Sequence, residues 1–499
     1  MCRTPRLLGC RRPACERDWC QVNFSAVWPE IIVAGLGMLL LVLDVVVPAQ
    51  RQRWFGYLCV GGLVLAGVVV ALLPTAGHTV LGGMVLLDGF SLFFCALFLV
   101  AAVLVVLFSL DFVLARGRDL GEFLALICWA TTGAMVMAIS WDIITLFVGL
   151  ELLSVCSYVL AAFLRDDPRS HEAGLKYLLN GALGSALLLF GLSLAYGVTG
   201  QTGIPELAHG LRAAIGGPFT GLVWIAVGLV LAAFAFKIAA APFHLWAPDA
   251  YEGAPTPVTG YLMVVAETAG FVGLMRLVSA GMGPLGGTWG PWLGGLAVLT
   301  MTVGNMTALW QRNLKRMLAY SSIAQVGYIL AGVAVATQTG IGSTMFYLLT
   351  YLFTTMGTFA VIVALSVRGE GEMISAYAGL SRRAPWLAAA LTFFLASYVG
   401  VPATAGFMGK LGLIGAAVHG GFSWVAIAIA VNSAVSIGYY WSVARTMWVD
   451  PEPEGAVQVV VSPATITSLC VSTAGVLALG VVPQVFFFLA NWASVGVVR

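Results

Sequence analysis

FAFKIAAAPFHLW, residues 234–246, is an apolar run with Lys237 inside it, Pro242 five residues further on and His244 just past the proline. Pro242 has no N–H to give to the carbonyl of residue 238, so a helix through this stretch breaks. A second stretch repeats the arrangement. In GVPATAGFMGK, residues 400–410, Pro402 and Gly406 interrupt a helix, free the carbonyl of residue 398 and are followed by Lys410. Non-helical backbone at membrane depth is tolerated where it is buried in protein or lines a wet cavity. Two broken spans, one in each half of a chain, point to a transport site built on internal repeats.

The rest of the chain supplies the membrane. Of its 499 residues 60% are hydrophobic and 9% charged, whereas soluble domains carry about 25% charged residues. A mean hydropathy of +0.97 over this length cannot be one buried core and needs lipid as solvent. Apolar runs long enough to span fall near 25–47, 54–73, 88–110, 120–139, 142–163, 171–196, 219–241, 256–280, 290–310, 316–336, 343–366, 386–415, 423–447 and 460–490. The expected fold is all-α, a polytopic transmembrane bundle of about 14 helices, here numbered spans 1–14, with spans 7 and 12 broken.

Loop charges orient it. Arg51, Arg53, Arg116, Arg118, Arg165, Arg169, Arg312, Lys315, Arg316, Arg368, Arg382, Arg383 and Arg445 all flank odd-to-even loops or close odd spans. The positive-inside rule then places those loops in the cytoplasm and both termini outside. Loop 7–8 belongs on the basic side but is acidic. Residues 1–22 hold five arginines without a signal-peptide core. They read as a disordered extension or a misassigned start, leaving 23–499 as one membrane domain.

Several chemistries are excluded. A net charge of +2 without a basic stripe gives no nucleic-acid partner. Cys59, Cys95, Cys128, Cys156 and Cys470 lie singly in apolar runs, as small core residues do. Cys2, Cys10, Cys15 and Cys20 cluster at the start without metal-ligand spacing. No phosphate loop or dinucleotide fingerprint is present, so no nucleotide or redox cofactor is expected in this chain.

Charged residues divide unevenly. Of 24 basic residues only four are lysines. Lys176, Lys237 and Lys410 lie inside spans and Lys315 at the edge of span 10, while the arginines are nearly all in loops or the extension. Arginine stays charged, whereas a buried lysine can give up its proton. Burial favours the neutral amine and a nearby carboxylate the charged form. A charge at mid-bilayer costs about 2.5–3.5 kcal/mol, so it tends to be kept for function. A structural ion pair or a snorkelling lysine is the alternative. Glu151, mid-span in DIITLFVGLELLSVCSYVL, and Glu267 in VVAETAGFVGLMRL are the deep carboxylates. Glu172 and Asn180 lie one turn either side of Lys176 on its face, so Lys176 serves either a polar file or a surface pair. Glu30, Asp44 and Asp88 are near span ends and read as interfacial, and Arg276 is near the end of span 8.

HLWAPDAYEGAPTPVTGYL, KYLLNGALGSALLLFGLSLAYGVTG, NLKRMLAYSSIAQVGYIL and GVPATAGFMGKLGLI resemble the antiporter-like membrane subunits of bacterial respiratory complex I, over roughly residues 23–490. The resemblance implies two inverted repeats, helices 4–8 and 9–13, with helices 7 and 12 broken. It implies proton-transfer roles for Glu151, Lys176, Lys237, His244 and Lys410. Lys410 and the lack of a long lateral helix at the C-terminus each separate the chain from one of the other subunit types. Two positions depart from the pattern: the family usually has a lysine where this chain has Glu267, and often a histidine where it has Gln325. Glu267 could carry the proton as a carboxylate, or pair with Lys237 or His244.

The reading is therefore a non-redox, proton-translocating subunit of an NADH-quinone oxidoreductase in the bacterial inner membrane. NADH, FMN, iron–sulfur clusters and quinone are expected in partner subunits. The partners expected are the other subunits of the complex, including neighbouring antiporter-like and small membrane subunits, and lipid. Two alternatives stand beside it: a cation/proton antiporter subunit of a multisubunit antiporter, and a membrane scaffold that lost pumping.

Overall fold

The computed structural model describes residues 24–47, 53–75, 77–117, 120–282, 286–366, 372–452 and 459–496. The expected extension at 1–22 and its four cysteines lie outside these residues, as do Arg51, Arg118 and Arg368.

Fourteen spans are present among the described residues. Spans 1–6 are Trp28–Val46, Arg53–Leu72, Gly89–Ala115, Leu120–Ile139, Ile143–Ala161 and Pro168–Thr199. Span 7 is Thr220–Lys237, continued past a break by Trp246–Gly253. Span 8 is Thr256–Gly281. Spans 9–11 are Gly286–Ala308, Leu314–Ala334 and Gln338–Ser366. Span 12 is Pro385–Val399 and Ala405–His419, span 13 Ser423–Trp448 and span 14 Pro463–Val481. Twelve of these helices are long and apolar enough to cross a bilayer unaided. The other two are glycine-rich span 9 and divided span 12. Spans 8, 10 and 11 are buried nearly all round, whereas Val45, Leu72, Ile427 and Trp441 of the outer spans face outwards, as a lipid-facing surface requires.

Matching details recur five spans apart. A Cβ on Gly133 would lie 2.5 Å from the Leu153 nitrogen, pinning span 4 to span 5, and one on Gly304 would lie 2.5 Å from the Ala324 nitrogen, pinning span 9 to span 10. Asp142 bridges Gly203 in the first half, and Asn313 bridges Met373 in the second. Both residues also cap the span that follows: Asp142 accepts from the Ile144 and Thr145 amides, and Asn313 from the Arg316 amide. Each break contains an alanine in the left-handed region, Ala239 at φ 55° and Ala403 at φ 69°. Five crossings is an odd number, so the second copy runs inverted through the membrane.

The structure differs from the sequence reading in four places. Hydropathy predicts span 14 over 460–490. It ends at Val481, because Pro483 cannot continue it, and a separate helix, Pro483–Ser494, packs against spans 3 and 11. Loop 74–87 contains a small antiparallel pair, β1 (His78–Val80) and β2 (Val85–Leu87). Loop 197–218 contains an amphipathic helix, Ile204–Ala214, that buries Ile204, Leu207 and Leu211. Span 8 carries π-helical turns at Leu262–Ala266 and Leu277–Gly281.

Candidate functional site

The interior chemistry lies where the two breaks meet the buried spans. The first half of span 7 ends at Lys237. Its last carbonyls need partners that the helix no longer supplies. The Trp246 indole N–H fills one place, donating to the Phe236 carbonyl at 3.0 Å. Thr300 of span 9 fills another role, accepting from the Ala241 amide at 3.0 Å. The Trp246 ring also stacks on Tyr177 of span 6, with centroids 4.7 Å apart. The break is thus held open by specific contacts.

Lys237 Nζ donates to Ser154 Oγ of span 5 at 3.0 Å and to Ser185 Oγ of span 6 at 3.1 Å. Hydroxyls, not a carboxylate, hold the ammonium. Glu151 stands one turn before Ser154 on the same helix face. It is half-buried, and its Oε1 is buried without a hydrogen-bond partner. His244, beyond the break, is half-buried with Nδ1 unpartnered.

Lys176 is placed differently. Its ammonium lies 2.8 Å from both Glu172 and Asp249, and its side chain is 43% exposed. Arg316 joins the same group through Asp249 at 2.9 Å and Glu252 at 2.7 Å. These residues, with Arg169, line a cavity of about 700 Å³ on the side of the basic loops. The acidity of loop 7–8 is explained by this cluster, because Asp249 and Glu252 are the counter-ions of Lys176 and Arg316.

Glu267 is fully buried on span 8, directly after the first π-helical turn. Three hydroxyls donate to it. Tyr251 binds Oε1 at 2.9 Å, Ser322 of span 10 binds the same oxygen, and Tyr351 of span 11 binds Oε2 at 3.3 Å. Among the described residues it pairs with neither Lys237 nor His244.

Lys410 closes the row. The first half of span 12 ends at Val399, and the Lys410 ammonium reaches back to the freed carbonyls of Tyr398 at 2.8 Å and Val399 at 3.0 Å. Ser433 of span 13 accepts a third hydrogen bond at 2.8 Å, and the Tyr328 ring lies beneath, 4.7 Å from Nζ. A cation is favoured at the negative end of a helix, so the break itself builds this binding place.

Sequence reasoning missed the hydroxyl partners Ser154, Ser185, Tyr251, Ser322 and Tyr351, whose positions carry no pattern along the chain. It also placed three residues too near the surface. Lys315, read at a helix edge, is buried and donates to the Ala254 carbonyl at 2.7 Å. Asp88 and Glu30, read as interfacial, are 3% and 5% exposed. Asp88 takes both ends of the fully buried Arg276 guanidinium, at 2.8 and 2.9 Å.

Residues 140–436 match the family described as NADH:quinone oxidoreductase/Mrp antiporter, TM. The chain is 43% identical over 475 residues to NADH-quinone oxidoreductase subunit N of Trichlorobacter lovleyi, covering 95% of this chain and 97% of that one. This chain belongs to the NADH-quinone oxidoreductase subunit N family. A second family member, from Moorella thermoacetica, is 41% identical and covers 92% of this chain and 96% of its own. Among solved structures, respiratory complex I from Thermus thermophilus with bound aureothin contains a chain 32% identical to this one. That match has a TM-score of 0.78 and covers 93% of this chain and 99% of the other. Family membership makes this chain a multi-pass subunit of a membrane enzyme complex.

Proposed function

We propose that this chain translocates protons as a non-redox subunit of an NADH-quinone oxidoreductase in a bacterial inner membrane. NADH, FMN, iron–sulfur clusters and quinone are carried by partner subunits, and further antiporter-like and small membrane subunits lie beside it. The observation that supports this most is how the two lysines at the breaks are held. Lys237 is bound by two serine hydroxyls, and Lys410 by two carbonyls and a serine hydroxyl. Neither is locked to a carboxylate. Losing a proton therefore strands no buried counter-charge, which is the costly outcome for a paired ion.

In the working sequence, a charge change elsewhere in the complex acts on Glu151. That alters the proton affinity of Lys237. The Lys237 ammonium gives its proton towards Glu267, which becomes the acid, and Glu267 passes it towards Lys410 and the outer side. Protons reach Lys237 past the charged cavity around Lys176, with His244 beside the break. Glu267 stands where a lysine is usual, so the middle station cycles between negative and neutral rather than neutral and positive.

The test is proton movement in sealed vesicles that hold the whole complex, supplied with NADH and quinone in sodium-free medium. NADH-driven proton translocation is expected. Sodium-dependent proton exchange without NADH would instead assign the chain to an antiporter.

A further inference from the structure

Between Glu267 and Lys410 lies a set of hydrogen bonds that the charged residues do not account for. Tyr347 of span 11 donates its hydroxyl to Gln325 Oε1 of span 10. Gln325 Nε2 donates to the Tyr440 hydroxyl oxygen of span 13 at 3.4 Å. Tyr440 in turn hydrogen-bonds Ser321, one turn before Gln325. Gln325, Tyr347, Tyr440 and Ser321 are each at most 2% exposed.

The set lies next to the groups that hold the two stations. Ser321 is followed by Ser322, which donates to Glu267. The Tyr440 ring stacks on Tyr398, with centroids 5.5 Å apart, and the Tyr398 carbonyl accepts from Lys410.

A carboxamide neither gains nor loses a proton in the accessible range, but its ends are unlike: the oxygen only accepts and the nitrogen only donates. With Oε1 taken by Tyr347, the Gln325 N–H must meet the Tyr440 oxygen. The Tyr440 O–H is then directed away from Gln325, and in the Ser321–Tyr440 bond either hydroxyl can donate.

We propose that Gln325 is a positioning residue, and that the Tyr440 and Ser321 hydroxyls carry the proton between Glu267 and Lys410 without a titrating side chain in that segment. This rests on the reading of Glu267 and Lys410 as proton stations. In each passage a hydroxyl accepts one proton and releases its own, so no tyrosinate or serine anion accumulates. Glu267 ends as the carboxylate and Lys410 as the ammonium, with water bridging Ser322 to Ser321 at one end and Tyr440 to Lys410 at the other. The titratable groups facing this set are Glu267 on span 8, Tyr328 on span 10, Tyr347 and Tyr351 on span 11, Tyr398 and Lys410 on span 12, and Tyr439 on span 13.

The experiment compares Gln325→Leu, Tyr440→Phe, Gln325→His and Lys410→Ala in the whole complex. It measures protons moved per NADH from about pH 6 to 8, with assembly checked by native electrophoresis. Gln325→Leu and Tyr440→Phe are expected to fall to the ratio of Lys410→Ala. Gln325→His is expected to pump at alkaline pH and to lose pumping towards the acid end of the range, where an imidazole becomes charged. Wild type, with no imidazole at this position, is expected to lack this limb. If Gln325→Leu fails to assemble, the Gln325→His profile decides alone. The proposal is overturned if the Gln325→His profile superimposes on wild type. It is also overturned if Gln325→Leu and Tyr440→Phe pump normally while Lys410→Ala does not. Normal pumping by Lys410→Ala would overturn the underlying station reading instead, and this proposal with it.

Discussion

Two buried cations, Arg276 and Lys410, are held in opposite ways. Arg276 meets Asp88 with both arms of its guanidinium, adds Ser91 at 2.8 Å and the Ala138 carbonyl at 3.1 Å, and lies 4.4 Å from the Phe90 ring centroid. A charge that never leaves is matched by a fixed counter-charge. Arg276→Ala should therefore cost about 3–5 kcal/mol, because it leaves Asp88 buried and unpaired. The expected readout is a lowered melting temperature of the complex, with protons per NADH unchanged in molecules that still assemble. Lys410 meets only neutral groups, as the proposed proton station requires. Glu267 offers a related test. Glu267→Gln keeps an oxygen for its hydroxyl donors but cannot take up a proton, so assembly should persist while the pumping ratio falls. Wild-type pumping by this variant would remove Glu267 from the relay. Lys237, Glu267 and Lys410 were legible in the sequence because charge at membrane depth is costly and therefore conspicuous. Ser154, Ser185 and Tyr251 were not, because a hydroxyl in an apolar run looks like any other small or aromatic residue until distant spans are brought together.

At the scale of single elements, the breaks are what position these groups. Gly406 opens the second half of span 12 against the end of the first. A Cβ there would lie 1.7 Å from the Ser397 carbonyl oxygen, a backbone atom that cannot swing aside. Gly406→Ala should push the two halves apart and take Lys410 off its carbonyls. Gly415, on the same helix, has open space where a Cβ would stand, with nothing within 4 Å. There alanine should be neutral or favourable by up to about 1 kcal/mol. Loss of assembly or pumping in Gly406→Ala but not in Gly415→Ala is the expected result, measured on the purified complex. Pro242 and Pro402 announced the two breaks plainly. The π-helical turns flanking Glu267 and Arg276 had no such marker, and the stop at Pro483 was hidden by apolar residues on both sides. Helix Ile204–Ala214 is too short and polar to span, so hydropathy alone leaves it as loop.

At the scale of the whole molecule, each of the two inverted halves contributes a break, a lysine at that break and a span buried nearly all round. The number of spans and the family were legible, since length, hydropathy and long ordered motifs are properties of the chain itself. The acidic loop 7–8 was the clear exception to the charge pattern, and only the packed cluster of Lys176, Asp249, Glu252 and Arg316 explains it. The two halves also share capping and bridging details, at Asp142 and Asn313, that no single stretch reveals. The relay proposed above is a property of the assembled bundle, with Lys237 as its first internal station. The most direct measurement is the number of protons moved per NADH by a fully assembled complex carrying Lys237→Ala. A clear drop in that ratio, with NADH still oxidised, is the predicted result; an unchanged ratio would contradict the role of Lys237 and with it the central claim.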